Sequence, residues 1–235
     1  MFEIIIVVIS LTLGTQGKPE NAECIKDYLV KQIERNLADL KSMQSSTLET
    51  TRSAEKYLRW GRTTCDEGAS LIYDGFAAGK AYNEGGSGAN FLCLLKDPEW
   101  KEYSDDVNNY RGRLYGVEYE IGNLNKPYPS SFHDKDMPCA VCLTDRRSTV
   151  LMVPGRVSCY NGWHKEYSGY LMSQMIDNSR TSSEYICVDE NLESVPGGDA
   201  SRNQAVVFTV EATCGNLKCP LYVNGRELTC VVCSK

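Results

Sequence analysis

Histidine is scarce in this sequence: only His133 and His164 occur. No Gly-x-Ser-x-Gly elbow is present, and "GGSGA" (85–89) misses it by one residue, so a hydrolase triad lacks its usual nucleophile setting. Asn-x-Ser/Thr is absent, which removes ordinary N-glycosylation. There is no Gly-x-y repeat, which excludes a collagen helix. Basic residues number 25 against 31 acidic ones, a formal net charge of −6. That balance argues against nucleic acid and anionic membrane surfaces as partners. Beyond Leu13 no apolar run is long enough to span a bilayer. Gly and Pro are missing between Cys24 and Trp60. Together these absences point away from an enzyme, and no cofactor or metal is expected.

What is present begins with "MFEIIIVVISLTLGTQGKPE". Ile4–Leu13 is an apolar run of signal-peptide length, with Thr15 and Gly17 at the −3 and −1 positions of a cleavage site. Glu3 stands where a basic residue is usual. A signal peptide over 1–17 and a secreted product are expected; a buried strand is the alternative. The Gly- and Pro-free stretch then carries Val30, Ile33, Leu37 and Leu40 at heptad spacing. The register continues weakly through Gln44, Thr47, Thr51, Ala54 and Leu58. This predicts a helix over 18–58, either packed on its own domain or forming a coiled-coil stalk between chains. Cys24 is the odd one of eleven cysteines and favours the stalk, because a leftover secreted cysteine suggests an intermolecular disulfide.

From 59 to 235 the pattern becomes that of strands. "ASLIYDGFAAG", "RLYGVEYEIG", "STVLMVPG", "SEYICVDE", "QAVVFTVEATCG" and "ELTCVVC" each end at turn residues, and Asn224-Gly225 marks a hairpin turn. The fold class expected is mainly β: a disulfide-rich globular β domain preceded by an N-terminal α-helix. Ten cysteines lie here: Cys65, Cys93, Cys139, Cys142, Cys159, Cys187, Cys214, Cys219, Cys230 and Cys233. "CAVC" and "CVVC" repeat one spacing, and no other internal repeat is evident. Two such pairs suit a zinc site, but the loop between them is too long for a zinc ribbon. A redox pair needs a helix N-terminus, whereas these read as strands. Five intradomain disulfides are therefore expected. Residues three apart on a strand face opposite sides, about 10 Å apart, so each cysteine should reach out to another strand.

Two polar or aromatic clusters are candidate ligand sites. In "FHDKDMPC", His133, Asp134 and Asp136 can coordinate a cation or a polyol, or form an exposed turn. In "CYNGWHKEYSGY", Tyr160, Trp163 and Tyr167 can stack on a sugar or anchor a partner, or fill the core.

Several longer stretches carry a family resemblance. They are "YLRWGRTTC" (57–65), "GGSGANFLCL" (85–94), "YGVEYE" (115–120), "MPCAVCLTDRRSTVLMVPGRVSCYNGW" (137–163), "EYSGYLMS" (166–173), "SEYICVDENLE" (183–193) and "CPLYVNGRELTCVVCSK" (219–235). The region resembles the C-terminal non-collagenous domain of short-chain collagen C4-like (spongin short-chain-type) secreted invertebrate proteins. The resemblance implies a secreted, disulfide-rich head carried on a trimerising stalk; the chain departs from it in having no collagen repeat. The function expected is a secreted homo-oligomer, a trimer, whose lectin-like heads bind a glycan or an extracellular protein. The alternative is a self-assembling matrix or adhesive component without a soluble ligand.

Overall fold

The computed structural model describes residues 20–50, 53–122 and 126–235, with side chains of the helix described over 28–43. The expected signal peptide and the Cys24 side chain lie outside the described residues. The chain forms two compact units, residues 1–52 and 53–235.

In the first unit, α1 spans Glu20–Thr50. Val30, Ile33, Leu37 and Leu40, the apolar heptad positions, are exposed at 46%, 64%, 51% and 63%. The helix expected to run to Leu58 is shorter. Lys56–Trp60 is instead β1, with alternating burial that sends Tyr57 and Trp60 into the second unit's core. The polar second half of the heptad seam offers no apolar burial to compete with that.

The second unit contains β1 and nine further strands. They are β2 (Ala69–Gly79), β3 (Leu92–Leu95), β4 (Tyr115–Tyr119), β5 (Pro138–Thr144), β6 (Val150–Pro154), β7 (His164–Ser173), β8 (Ile186–Asp189), β9 (Ala205–Thr209) and β10 (Thr229–Ser234). The hydrogen-bonded order is β6-β10-β7-β8-β1-β5-β2-β4-β9, with β3 on β2; β9 also pairs with β7, so the path closes on itself. The fold is mainly β, as the strand patterns imply.

These strands are one five-stranded unit written twice, which corrects the expectation of no further repeat. In the first copy β5 lies between β1 and β2, and β2 also pairs β3 and β4. In the second copy β10 lies between β6 and β7, and β7 also pairs β8 and β9. The registers coincide. Tyr57 faces Cys142 as Leu151 faces Cys233, and Ala77 faces Cys93 as Leu171 faces Cys187. Each copy has a β-bulge at the same place, between Leu71 and Tyr73 in β2 and between Lys165 and Tyr167 in β7. Gly75 and Gly169 are equivalent too: a Cβ on either would lie 1.8 Å from a backbone carbonyl oxygen, of Leu94 and Val188 respectively. Only glycine permits that approach.

The disulfides follow the repeat. Cys139 and Cys142 on β5 bond to Cys93 and Cys65; Cys230 and Cys233 on β10 bond to Cys187 and Cys159. Sequence separations are 46 and 77 in the first copy, 43 and 74 in the second. The fifth bond, Cys214–Cys219, closes a short loop. Each Cys-x-x-Cys pair therefore reaches outward from its strand. Strand alternation is the cause: Cys139 and Val141 enter one hydrophobic cluster, Ala140 and Cys142 the other.

The two copies meet at short parallel contacts, β1 with β8 at Trp60 and Val188, and β4 with β9 over Val117–Tyr119. A buried ion pair reinforces the first. Arg59 donates from Nε to Asp189 Oδ2 at 2.8 Å and from Nη1 to the Thr64 carbonyl at 3.0 Å. A second buried pair holds β10: Arg147 donates from Nη2 to Glu166 Oε1 at 3.0 Å, and the Ser234 hydroxyl donates to the same carboxylate.

Candidate functional site

The six candidate ligand residues do not form one site. Tyr167 is corrected to a core residue: it is 4% exposed, and its hydroxyl reaches the carbonyls of Leu58 and Cys187 at 2.9 Å. It lies on the inward face of β7, where alternation buries it. Tyr160 is exposed, with the Arg156 guanidinium 4.5 Å from its ring centroid. Trp163 is partly exposed and closes the same turn, its backbone N–H donating to the Tyr160 carbonyl at 3.1 Å. Tyr160 and Trp163 thus remain an accessible aromatic pair on the β6–β7 turn.

His133, Asp134 and Asp136 lie on the chain entering β5. His133-Asp134 occupies the centre of a turn closed by the Lys135 N–H on the Phe132 carbonyl at 3.2 Å, with Asp134 at φ +60°. The equivalent turn of the second copy has Asn224-Gly225 at its centre, closed by the Arg226 N–H on the Val223 carbonyl, with Gly225 at φ +74°. Asn224-Gly225 is therefore a turn, but not a hairpin turn: residues 219–223 before it form no strand, and Glu227 after it pairs with Glu211. Each turn is clasped by the strand opposite: Asp134 N–H donates to the Tyr119 carbonyl at 3.0 Å, and Gly225 N–H to the Ala212 carbonyl at 2.9 Å.

That clasp brings a residue the sequence did not suggest. Glu120 follows Tyr119, and its Oε2 lies 3.5 Å from His133 Nδ1. Asp134 Oδ1 lies 3.8 Å from His133 Nε2. One donor atom from each of Glu120, His133 and Asp134 falls within 4.8 Å of the others. No local spacing reveals Glu120; only the antiparallel return of the chain places it. Burial raises the Glu120 carboxyl above its ordinary value, Asp134 and Glu118 add to the effect, and His133 and Arg180 oppose it. Asp136 is directed elsewhere. Its N–H donates to the Gly198 carbonyl at 2.9 Å, and a Cβ on Gly198 would come within 2.5 Å of its Oδ2. Its carboxyl is raised by burial and by Asp199.

A third exposed feature is the β3–β4 connection, where Trp100, Tyr103 and Tyr110 stand 76%, 73% and 101% exposed. The sequence shows them as aromatics among acids, "DPEWKEYSDDVNNY".

No protein-family model matches the chain. Among the described residues no helix is long and apolar enough to cross a membrane. The five disulfides fit a protein matured in an oxidising compartment.

Proposed function

We propose that the protein is a secreted extracellular recognition protein that presents several disulfide-stapled β heads on a self-associating helix. The observation that carries this reading is the exposed seam of α1. Four apolar side chains at heptad spacing stand in water along a helix that a single chain leaves unburied. A helix of this length gains most of its stability from burying such a face, and a parallel trimer does so. Cys24 can then link neighbouring chains covalently. Several heads on one stalk bind by avidity, so each needs only modest affinity. The resemblance to the non-collagenous heads of short-chain collagen C4-like proteins supports the same arrangement. Tyr160 and Trp163 supply the aromatic surface for a glycan or a protein ligand.

Light scattering on the full-length secreted protein should give a trimer. Ile33→Asp with Leu37→Asp should give monomers whose β head melts as before. Cys24→Ser should remove covalent multimers from non-reducing gels while leaving the trimer in light scattering. A wild-type monomer would refute the stalk. On a glycan array, Tyr160→Ala or Trp163→Ala should abolish binding, since losing one stacking contact costs about 1 kcal/mol per head and the loss multiplies over linked heads. Wild-type binding to no glycan or matrix protein counts against the recognition role. The exposed Trp100, Tyr103 and Tyr110 favour one second reading, self-assembly without ligand. Concentration-dependent growth beyond the trimer, lost in Trp100→Ser, would support it.

A further inference from the structure

We propose that Glu120, His133 and Asp134 bind a divalent metal ion of the zinc class. The donor set is one imidazole and two carboxylates. Imidazole favours zinc and its transition-metal neighbours, whereas calcium and magnesium sites are built from oxygen alone. The spacing fits: two tetrahedral ligands, each about 2.1 Å from zinc, stand about 3.4 Å apart, and His133 Nδ1 and Glu120 Oε2 are 3.5 Å apart. Asp134 has a donor atom within 4.8 Å of the other two and draws in from the Nε2 side of the ring to complete a three-residue set, leaving a coordination position for water or a ligand, as open zinc sites do.

The local hydrogen bonding is weak enough for a cation to displace. The Gly122 N–H donates to His133 Nδ1 at 3.4 Å, the long limit of such a bond. That bond occupies the one lone pair of Nδ1, so zinc at Nδ1 takes the place of the Gly122 N–H.

The duplication isolates what is special about these residues. The second copy builds the same turn and the same clasp, but holds Thr213, Asn224 and Gly225 where the first holds Glu120, His133 and Asp134. Asn224 Oδ1 also accepts a backbone N–H from the strand opposite, that of Cys214 at 3.0 Å. The turn therefore needs neither the imidazole nor the carboxylates. Asn-Gly suits its positive φ better than His-Asp does. Three metal-ligating side chains have been placed on one copy of a scaffold that folds without them on the other.

The experiment uses the full-length oxidised protein and Zn2+ itself. Calorimetry should give one Zn2+ per chain. The protein has two histidines, so long-range 1H–15N spectra should show zinc moving the ring nitrogens of His133 and leaving His164 in place. His133→Asn installs the residue the second copy already uses, so the melting curve should be unchanged. It should weaken zinc by more than the roughly 10–100-fold that losing an outer-shell partner costs, and Glu120→Gln should weaken it comparably. His164→Ala should bind as wild type. The proposal is overturned if zinc does not bind, if binding survives His133→Asn, or if calcium binds more tightly than zinc. It is equally overturned if His133 gains only a proton from Glu120's neighbourhood and its ring resonances ignore zinc.

Discussion

Arg59→Met should destabilise the β head by about 3–5 kcal/mol, read from urea unfolding followed by tryptophan fluorescence. Arg59 and Asp189 are both buried, their side chains 10% and 2% exposed. Removing the guanidinium leaves the Asp189 carboxylate inside the protein, holding one backbone partner, the Asn191 N–H at 2.8 Å. The uncompensated charge dominates the loss, not the missing bond. The double variant Arg59→Met with Asp189→Leu should therefore be more stable than either single variant, a coupling that only neighbouring groups show. The effect is large because of position. Arg59 is on the first copy and Asp189 on the second, at a junction where β1 and β8 share a single residue pair. A loss below about 1 kcal/mol, the range of exposed pairs, would mean that the copies are held elsewhere.

Removing the Cys187–Cys230 disulfide as a pair of alanines should cost about 4 kcal/mol by loop entropy, against about 2 for Cys214–Cys219. The difference follows from the loops they close, with separations of 43 and 5 residues. The equivalent bond in the first copy, Cys93–Cys139, spans 46 residues, so its removal should match that of Cys187–Cys230 closely. Calorimetric melting of the three double-alanine variants tests this ranking. Equal losses from the short and the long loop would show that loop entropy does not govern these staples. Unequal losses from the two repeat-related bonds would trace to their surroundings. Cys93 and Cys139 lie in the cluster with Trp60 and Phe91, Cys187 and Cys230 in the one with Tyr57 and Tyr167.

Much of this fold is visible in the sequence at the level of single strands. "ASLIYDGFAAG" is β2 residue for residue. The outward reach of both Cys-x-x-Cys pairs follows from strand alternation alone. The duplication is harder to see, for a physical reason. Few positions keep their identity in both copies, and most of them have a constrained occupant. Among them are the paired cysteines, the glycines at close backbone approach, Gly61-Arg62 with Gly155-Arg156, Gly68 with Gly162, and Tyr73 with Tyr167. Core positions need only apolar volume, so Trp60 can face Cys139 where Pro154 faces Cys230. The helix boundary misleads because Leu58 fits the heptad register, while its neighbours Tyr57 and Trp60 fit a strand, and long-range burial of those two decides between them. At the candidate site, His133 and Asp134 are legible as a polar pair. Glu120 is not, because its proximity comes from tertiary pairing. Tyr167 is misassigned because aromatic density does not say which face of a strand a ring occupies.

The duplication has a topological corollary. Thr144 N–H donates to the Glu55 carbonyl at 3.0 Å, where the head's first strand begins. Lys235 N–H donates to the Thr149 carbonyl at 2.9 Å, where the last strand ends. These are the same contact in the two copies. Both ends of the strand set thus flank the short bridge, 145–148, that joins one copy to the other. The gap from Lys235 back to Glu55 resembles the gap already closed from Thr144 to Thr149. In connectivity the head is close to a ring cut at one of two like seams. The cut as it stands joins α1 in sequence to the copy that carries His133.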